Sequence, residues 1–234
     1  MNRRGFVRSC ALVGGLAPLA GAPAAWADAP QRRYPRARLV DVDGRPIAAR
    51  RLVADTNYLF HYPFVGTPCF LLNLARPVAG GVTLQREDGA TYGWPGGVGP
   101  TAGIVAFSAI CAHKLAYPAR EVSFIRYQAT ASRNGVAKVI HCCAEHSVYD
   151  PAAGARVISG PAPQPLAGIL LDYDAATDAL FAVGTVGAEQ FDAFFAKYDF
   201  KLAMEFGQGR ARQPVAERAI VREMAQYCRQ TVEC

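Results

Sequence analysis

Short runs of β-favouring residues, broken every few positions by glycine, proline or aspartate, dominate the first three quarters of the chain. Arg38-Leu39-Val40-Asp41-Val42, Tyr58-Leu59-Phe60-His61-Tyr62 and Cys69-Phe70-Leu71-Leu72-Asn73-Leu74 are predicted strands. Gly80-Gly81, Asp88-Gly89 and the Gly- and Pro-rich run at 93–99 are predicted turns, and residues 103–108 form a further strand that leads to Cys111. A second set follows at 122–127, 137–140, 169–173 and 179–184, so the pattern predicts a small antiparallel all-β domain. Beyond Gly187 the period changes. Phe191, Phe194, Phe195, Tyr198 and Leu202 recur at helical spacing with no Pro or Gly between them, which predicts an amphipathic helix over 188–204 with its aromatic stripe packed on the sheet. After Gly207-Gln208-Gly209 comes a polar tail with one more strand candidate at 219–222. The chain therefore divides into a leader at 1–27, a β domain at 28–187, and a helix and tail at 188–234.

With 234 residues and 51% apolar composition the chain can close a full hydrophobic core. The formal charge of +6 is not a nucleic-acid signal. Arg3, Arg4 and Arg8 account for three of the 25 basic residues, and the other 22 stand against 19 acidic ones. Nor is there an aromatic and basic stripe on which single strands would stack. The opening Asn2-Arg3-Arg4-Gly5-Phe6-Val7-Arg8 holds a twin-arginine pair, followed by a mildly apolar run and the small-residue site Ala25-Trp26-Ala27. These are the marks of a Tat export signal cleaved after Ala27, a route that carries proteins already folded around a cofactor. The run is interrupted by Pro18 and Pro23 and falls short of the roughly 20 strongly apolar residues of a stable span. A periplasmic location is expected, with membrane attachment only if the segment is retained as an anchor.

Six cysteines lie beyond that segment: Cys69, Cys111, Cys142, Cys143, Cys228 and Cys234. In an oxidising compartment such thiols pair or bind metal. If two are ligands, zero, one or two disulfides remain for the others, and spacing assigns no connectivity. Two motifs combine thiol and imidazole, Cys111-Ala112-His113 and Cys143-Ala144-Glu145-His146, each just after a predicted strand. Cys142 sits beside Cys143 and either could be the donor; the C-x-x-H spacing selects Cys143. His141 reads as a strand-end residue, His61 as a packed or surface residue among aromatics, and Cys69 as a buried thiol. No nucleophile with a base, no Gly-rich phosphate cradle and no paired-carboxylate motif is present, so no independent catalytic site is expected.

The residues Ile104-Val105-Ala106-Phe107-Ser108-Ala109-Ile110-Cys111-Ala112-His113-Lys114, then Cys143-Ala144-Glu145-His146-Ser147-Val148-Tyr149-Asp150-Pro151, then Ser159-Gly160-Pro161-Ala162-Pro163-Gln164-Pro165-Leu166 resemble the Rieske family. The resemblance implies a Rieske-type antiparallel β-sandwich with a cluster-binding subdomain at about 107–166. It also implies one 2Fe-2S cluster, with Cys111 and Cys143 on one iron and His113 and His146 on the other. Ser147 and Tyr149 would donate hydrogen bonds to sulfur, and the proline loop at 159–166 would cover the cluster. The His-Lys pair, Tyr117-Pro118 and Ser-Val-Tyr-Asp-Pro are most similar to the Rieske subunit of arsenite oxidases, itself a Tat substrate, and next to that of quinol:cytochrome c oxidoreductases.

There are departures from the family. The cysteines that join the two cluster loops in the bc-complex subgroup correspond to Ala116 and Glu145, and one residue is missing between the second His and Ser147. The implied role is electron transfer as a subunit or partner of a larger oxidoreductase, with a cytochrome c or a molybdenum- or cytochrome-containing subunit as redox partner. A quinol-oxidising subunit of a membrane-anchored bc-type complex is the alternative reading. A third is a zinc-stabilised, non-redox binding module, against which stands the preference of structural zinc sites for C-x₂₋₄-C pairs. A Rieske oxygenase would need a second iron site, and only four histidines exist.

Overall fold

A computed structural model describes residues 31–131 and 135–234. The leader read as an export signal lies outside the described residues. In chain order the strands are β1 (Arg32–Val40), β2 (Tyr58–His61), β3 (Pro68–Asn73), β4 (Val82–Gln85), β5 (Thr91–Trp94), β6 (Ile104–Ser108), β7 (Val122–Ser123) and β8 (Ile125–Gln128). They continue with β9 (Val139–Cys142), β10 (Ser147–Asp150), β11 (Arg156–Ser159), β12 (Gly168–Asp174) and β13 (Ala179–Val186). Helix α1 (Phe191–Phe206) follows, then β14 (Glu217–Ile220), β15 (Arg222–Glu223), a helical turn (Met224–Tyr227) and β16 (Gln230–Thr231). The all-β expectation with a C-terminal helix is met.

Eight strands form one sheet in the order β14-β1-β13-β12-β6-β3-β2-β15. Val221 alone separates β14 on one edge from β15 on the other, so the sheet curls until its edges meet. Alternation along each strand then sends side chains to an inner and an outer face. Phe60, Cys69, Leu71, Ala106, Ile169 and Leu180 fill the inner core. Their neighbours Leu59, Phe70, Leu72, Phe107 and Leu170 point outward, against the β4–β5 hairpin and β8, β9 and β10. Each such aromatic or aliphatic burial contributes about 1.5–3 kcal/mol. Pairing is antiparallel except for β14 on β1 and β16 on β7, which are parallel.

The turns predicted around Gly80 and Asp88-Gly89 contain the β4–β5 hairpin, which sequence reading missed. Its strands are four residues each, too short for their alternation to stand out between glycines. Gly89 closes the turn at φ +84°, where it donates to the carbonyl of Arg86. Helix α1 buries Phe191, Phe194, Phe195 and Leu202 as predicted, but against Ile110, Tyr117 and Ala119 rather than the sheet proper.

β6 and β12 are antiparallel neighbours that meet at Phe107 and Gly168. Everything between them, including β7–β11, leaves the sheet at one end and returns beside its point of departure. That inserted module carries the candidate site.

Candidate metal centre

The chain leaves β6 through a tight loop in which the Cys111 amide donates to Ala116 O (2.8 Å) and Leu115 donates back to Cys111 O (3.0 Å). Helix α1 fixes this loop from outside. Gln190 Nε2 donates to Ala112 O (2.9 Å), and Lys197 Nζ donates to Lys114 O (2.6 Å). Neither residue was singled out from sequence, since side chains that act on backbone carbonyls leave no motif. A second loop, 143–146, joins β9 to β10, whose register pairs Cys142 with Ser147. The Cys143 amide donates to Phe124 O (2.6 Å) and anchors the loop to the start of β8.

The two thiols that interact are those of Cys111 and Cys142, both buried and free. Hydrogen bonding from Cys142, from the Tyr149 hydroxyl and from the amides of His113 and Lys114 outweighs burial and brings the Cys111 thiol down to about 6. Cys142 is the partner that keeps the proton, and its pKa is raised; its own sulfur receives the amides of Ala144 and Glu145. The Tyr149 hydroxyl accepts from Ala112 N (3.1 Å), which frees its proton for Cys111 Sγ at 3.3 Å. Ser147 Oγ is buried beside this pair and has no protein partner.

The expectation that Cys143 supplies the second thiolate is corrected. Cys143 forms a disulfide with Cys234 (Cα–Cα 5.3 Å), and a bonded sulfur is not a thiolate donor. Cys142 is the buried last residue of β9, whereas Cys143 opens the turn that follows and lies only partly buried, within reach of Cys234.

Of the two imidazoles, His113 is partly buried, with Nδ1 enclosed and free of any protein partner. His146 is exposed at the loop end with φ +59°, and its ring centroid lies 6.1 Å from that of His141. Glu145 stands three residues after Cys142, where the C-x-x-H spacing would put an imidazole. Its carboxylate pairs with Lys114 Nζ (3.0 Å), so an ion pair connects the two loops. That contact holds the Glu145 carboxyl below its ordinary range. The proline loop packs over the second donor loop. A Cβ on Gly160 (φ +89°) would sit 2.4 Å from His146 O.

Cys69 is buried, donates to Tyr62 O (2.9 Å) and has its pKa pushed up by desolvation; Cys228 is also a buried free thiol. His61 is packed between the rings of Phe206 and Tyr227, and His141 lies buried in β9 with Nε2 unpartnered.

Among the described residues no three His, Cys, Asp or Glu side chains gather into one group that could hold a single metal ion. A binuclear centre asks for only two protein donors per metal. The paired thiols, the sulfur-directed hydroxyl and amides, the free Ser147 hydroxyl and the enclosed Nδ1 of His113 fit such a group.

No model of a known protein family matches the chain. Among solved structures the chain is similar to the soluble domain of the Rieske protein II from Sulfolobus acidocaldarius, with 29% identity over 65% of this chain and 78% of that one, at a TM-score of 0.44.

Proposed function

We propose that the chain is a Rieske-type electron carrier, in which Cys111 and Cys142 hold one iron of a 2Fe-2S cluster and His113 and His146 hold the other. The observation that supports this reading is the buried Cys111–Cys142 pair with the Tyr149 hydroxyl directed at the Cys111 sulfur. A bound cluster of this type supplies one-electron transfer at a potential raised by neutral imidazole in place of thiolate.

The chain's own residues prepare the site for that charge. Donated hydrogen bonds hold Cys111 as the thiolate, and Tyr149 and four backbone amides spread the negative charge of the two sulfurs. Gln190 and Lys197 keep the first loop in register from α1. His113 borders a cleft shared with Tyr34, Phe64 and Gln190, and exposed His146 stands on the second loop, so the two imidazoles form the edge at which a redox partner would dock. Export to the periplasm, and a partner that is a larger molybdenum- or cytochrome-containing oxidoreductase, belong to the same proposal. No helix among the described residues is long and apolar enough to cross a membrane.

The test is electron paramagnetic resonance of the dithionite-reduced protein, with iron and zinc counted on the same sample. The expected result is the signal of a reduced binuclear cluster, lost in Cys142→Ser and His113→Ala and still formed in freshly loaded Cys143→Ser. A sample that holds zinc and gives no signal would overturn the reading. Loss in Cys143→Ser with retention in Cys142→Ser would return the thiolate to Cys143.

A further inference from the structure

The last described residues run from the curled sheet to the module. Met224 N donates to Asn57 O (2.8 Å) just ahead of β2, and β15 pairs with β2, so the segment starts from the sheet. It then crosses over. Arg229 N donates to Arg120 O (2.8 Å), β16 pairs with β7 through Gln230–Val122 and Thr231–Ser123, and Val232 N donates to Ser123 O (2.9 Å). The Arg126 guanidinium meets Glu233 at 3.3 Å, and Gln128 Nε2 lies 3.8 Å from Cys234 Sγ. The path ends in the disulfide to Cys143, the residue after the donor Cys142. Otherwise the module joins the sheet through backbone only where it leaves β6 and enters β12. Residues 228–234 add a third covalent connection, and it lands on the second donor loop.

We propose that residues 228–234 are a strap belonging to the donor site, whose Cys143–Cys234 bond holds the second donor loop in place, so that a dithiol reductant opens the site. The two donor loops have no disulfide between them, and the Lys114–Glu145 pair that connects them is partly exposed, which makes it a weak substitute. The strap joins residues 91 positions apart in sequence, a separation at which a crosslink strongly restricts the opened state. Opening it takes two electrons and two protons from the dithiol, which becomes a cyclic disulfide, and leaves free thiols at Cys143 and Cys234. The effect on a bound cluster rests on the function proposed above; the effect on the loop does not.

The experiment uses the full chain in three forms: untreated, treated with dithiothreitol, and as the Cys143→Ser/Cys234→Ser double variant. Hydrogen exchange is read by segment, and iron release to a ferrous chelator is timed. With the bond absent, amide exchange at 122–125 and 141–147 should rise about tenfold or more while β12 and β13 stay unchanged, and iron release should accelerate to match. Reductant and double variant should agree, so a folding defect peculiar to the variant would be recognised. Exchange within about twofold of the untreated chain in both forms would overturn the proposal, whatever the iron content. Faster exchange in a chain that holds no iron would keep the strap and sink the cluster reading.

Discussion

Tyr149 carries most of the chemical information at the scale of single residues. Its hydroxyl is fully buried and serves two partners, accepting from Ala112 N and reaching the Cys111 sulfur. Tyr149→Phe leaves an amide without its acceptor and a sulfur without its donor, and should cost about 1–2 kcal/mol in urea unfolding. A hydrogen bond to thiolate favours the more negative, reduced state. Losing about 1 kcal/mol of it should lower the potential by about 40 mV in a redox titration. An unchanged potential would reduce the tyrosine to a packing residue. Cys111, His113, Ser147 and Tyr149 were singled out in the sequence by their motifs, and the structure places the Tyr149 hydroxyl against the Cys111 sulfur with Ser147 buried nearby. Cys142 was set second to Cys143 there, since only the fold separates the buried end of β9 from the first residue of the turn after it. Cys234 was given no partner there, because a contact across 91 positions is set by the fold alone.

Between residues and molecule, the elements show how tightly the module is clamped. Gly160 and Gly89 have nearly equal positive φ, +89° and +84°, but Gly160 faces the backbone of His146 and Ser147 whereas Gly89 has nothing within 4 Å of a Cβ position. Gly89→Ala should therefore cost only the conformational term, about 1 kcal/mol. Gly160→Ala should cost about 3 kcal/mol and also perturb the spectrum of the site, because backbone cannot move aside as a side-chain end can. Equal losses in the two variants would show that the proline loop yields freely. The helix was legible as a period: predicted over 188–204, it runs from Phe191 to Phe206. The β4–β5 hairpin and β10 were not, as four-residue strands carry too few positions to establish alternation.

For the whole molecule, His61 marks a junction, with the sheet beneath it, α1 on one side through Phe206 and the tail on the other through Tyr227. Burial first, then the Arg222 and Arg120 charges, lowers its pKa to about 4. The unfolded chain thus binds this proton more readily between about pH 6.5 and 4, so stability rises with pH across that window and is lost on acidification. The loss should reach about 2 kcal/mol and flatten in His61→Gln, as read by the urea midpoint against pH. The same slope in the variant would place the acid sensitivity elsewhere. The vicinal cysteines add a matter of timing to these statics. On the proposed assignment Cys142 has to remain a thiol to receive metal, while Cys143, its next neighbour, has to be oxidised to secure the strap. Two adjacent atoms thus demand opposite redox surroundings, which a maturing chain can satisfy only in sequence: loading first under reducing conditions, closure afterwards. A metal-free chain that meets oxidant too early should close Cys111 onto Cys142 as a second disulfide, detectable by peptide mapping, and should accept iron only after that bond is reduced. If the assignment holds, the biogenesis of this protein would be a one-way passage whose order is written in two consecutive residues.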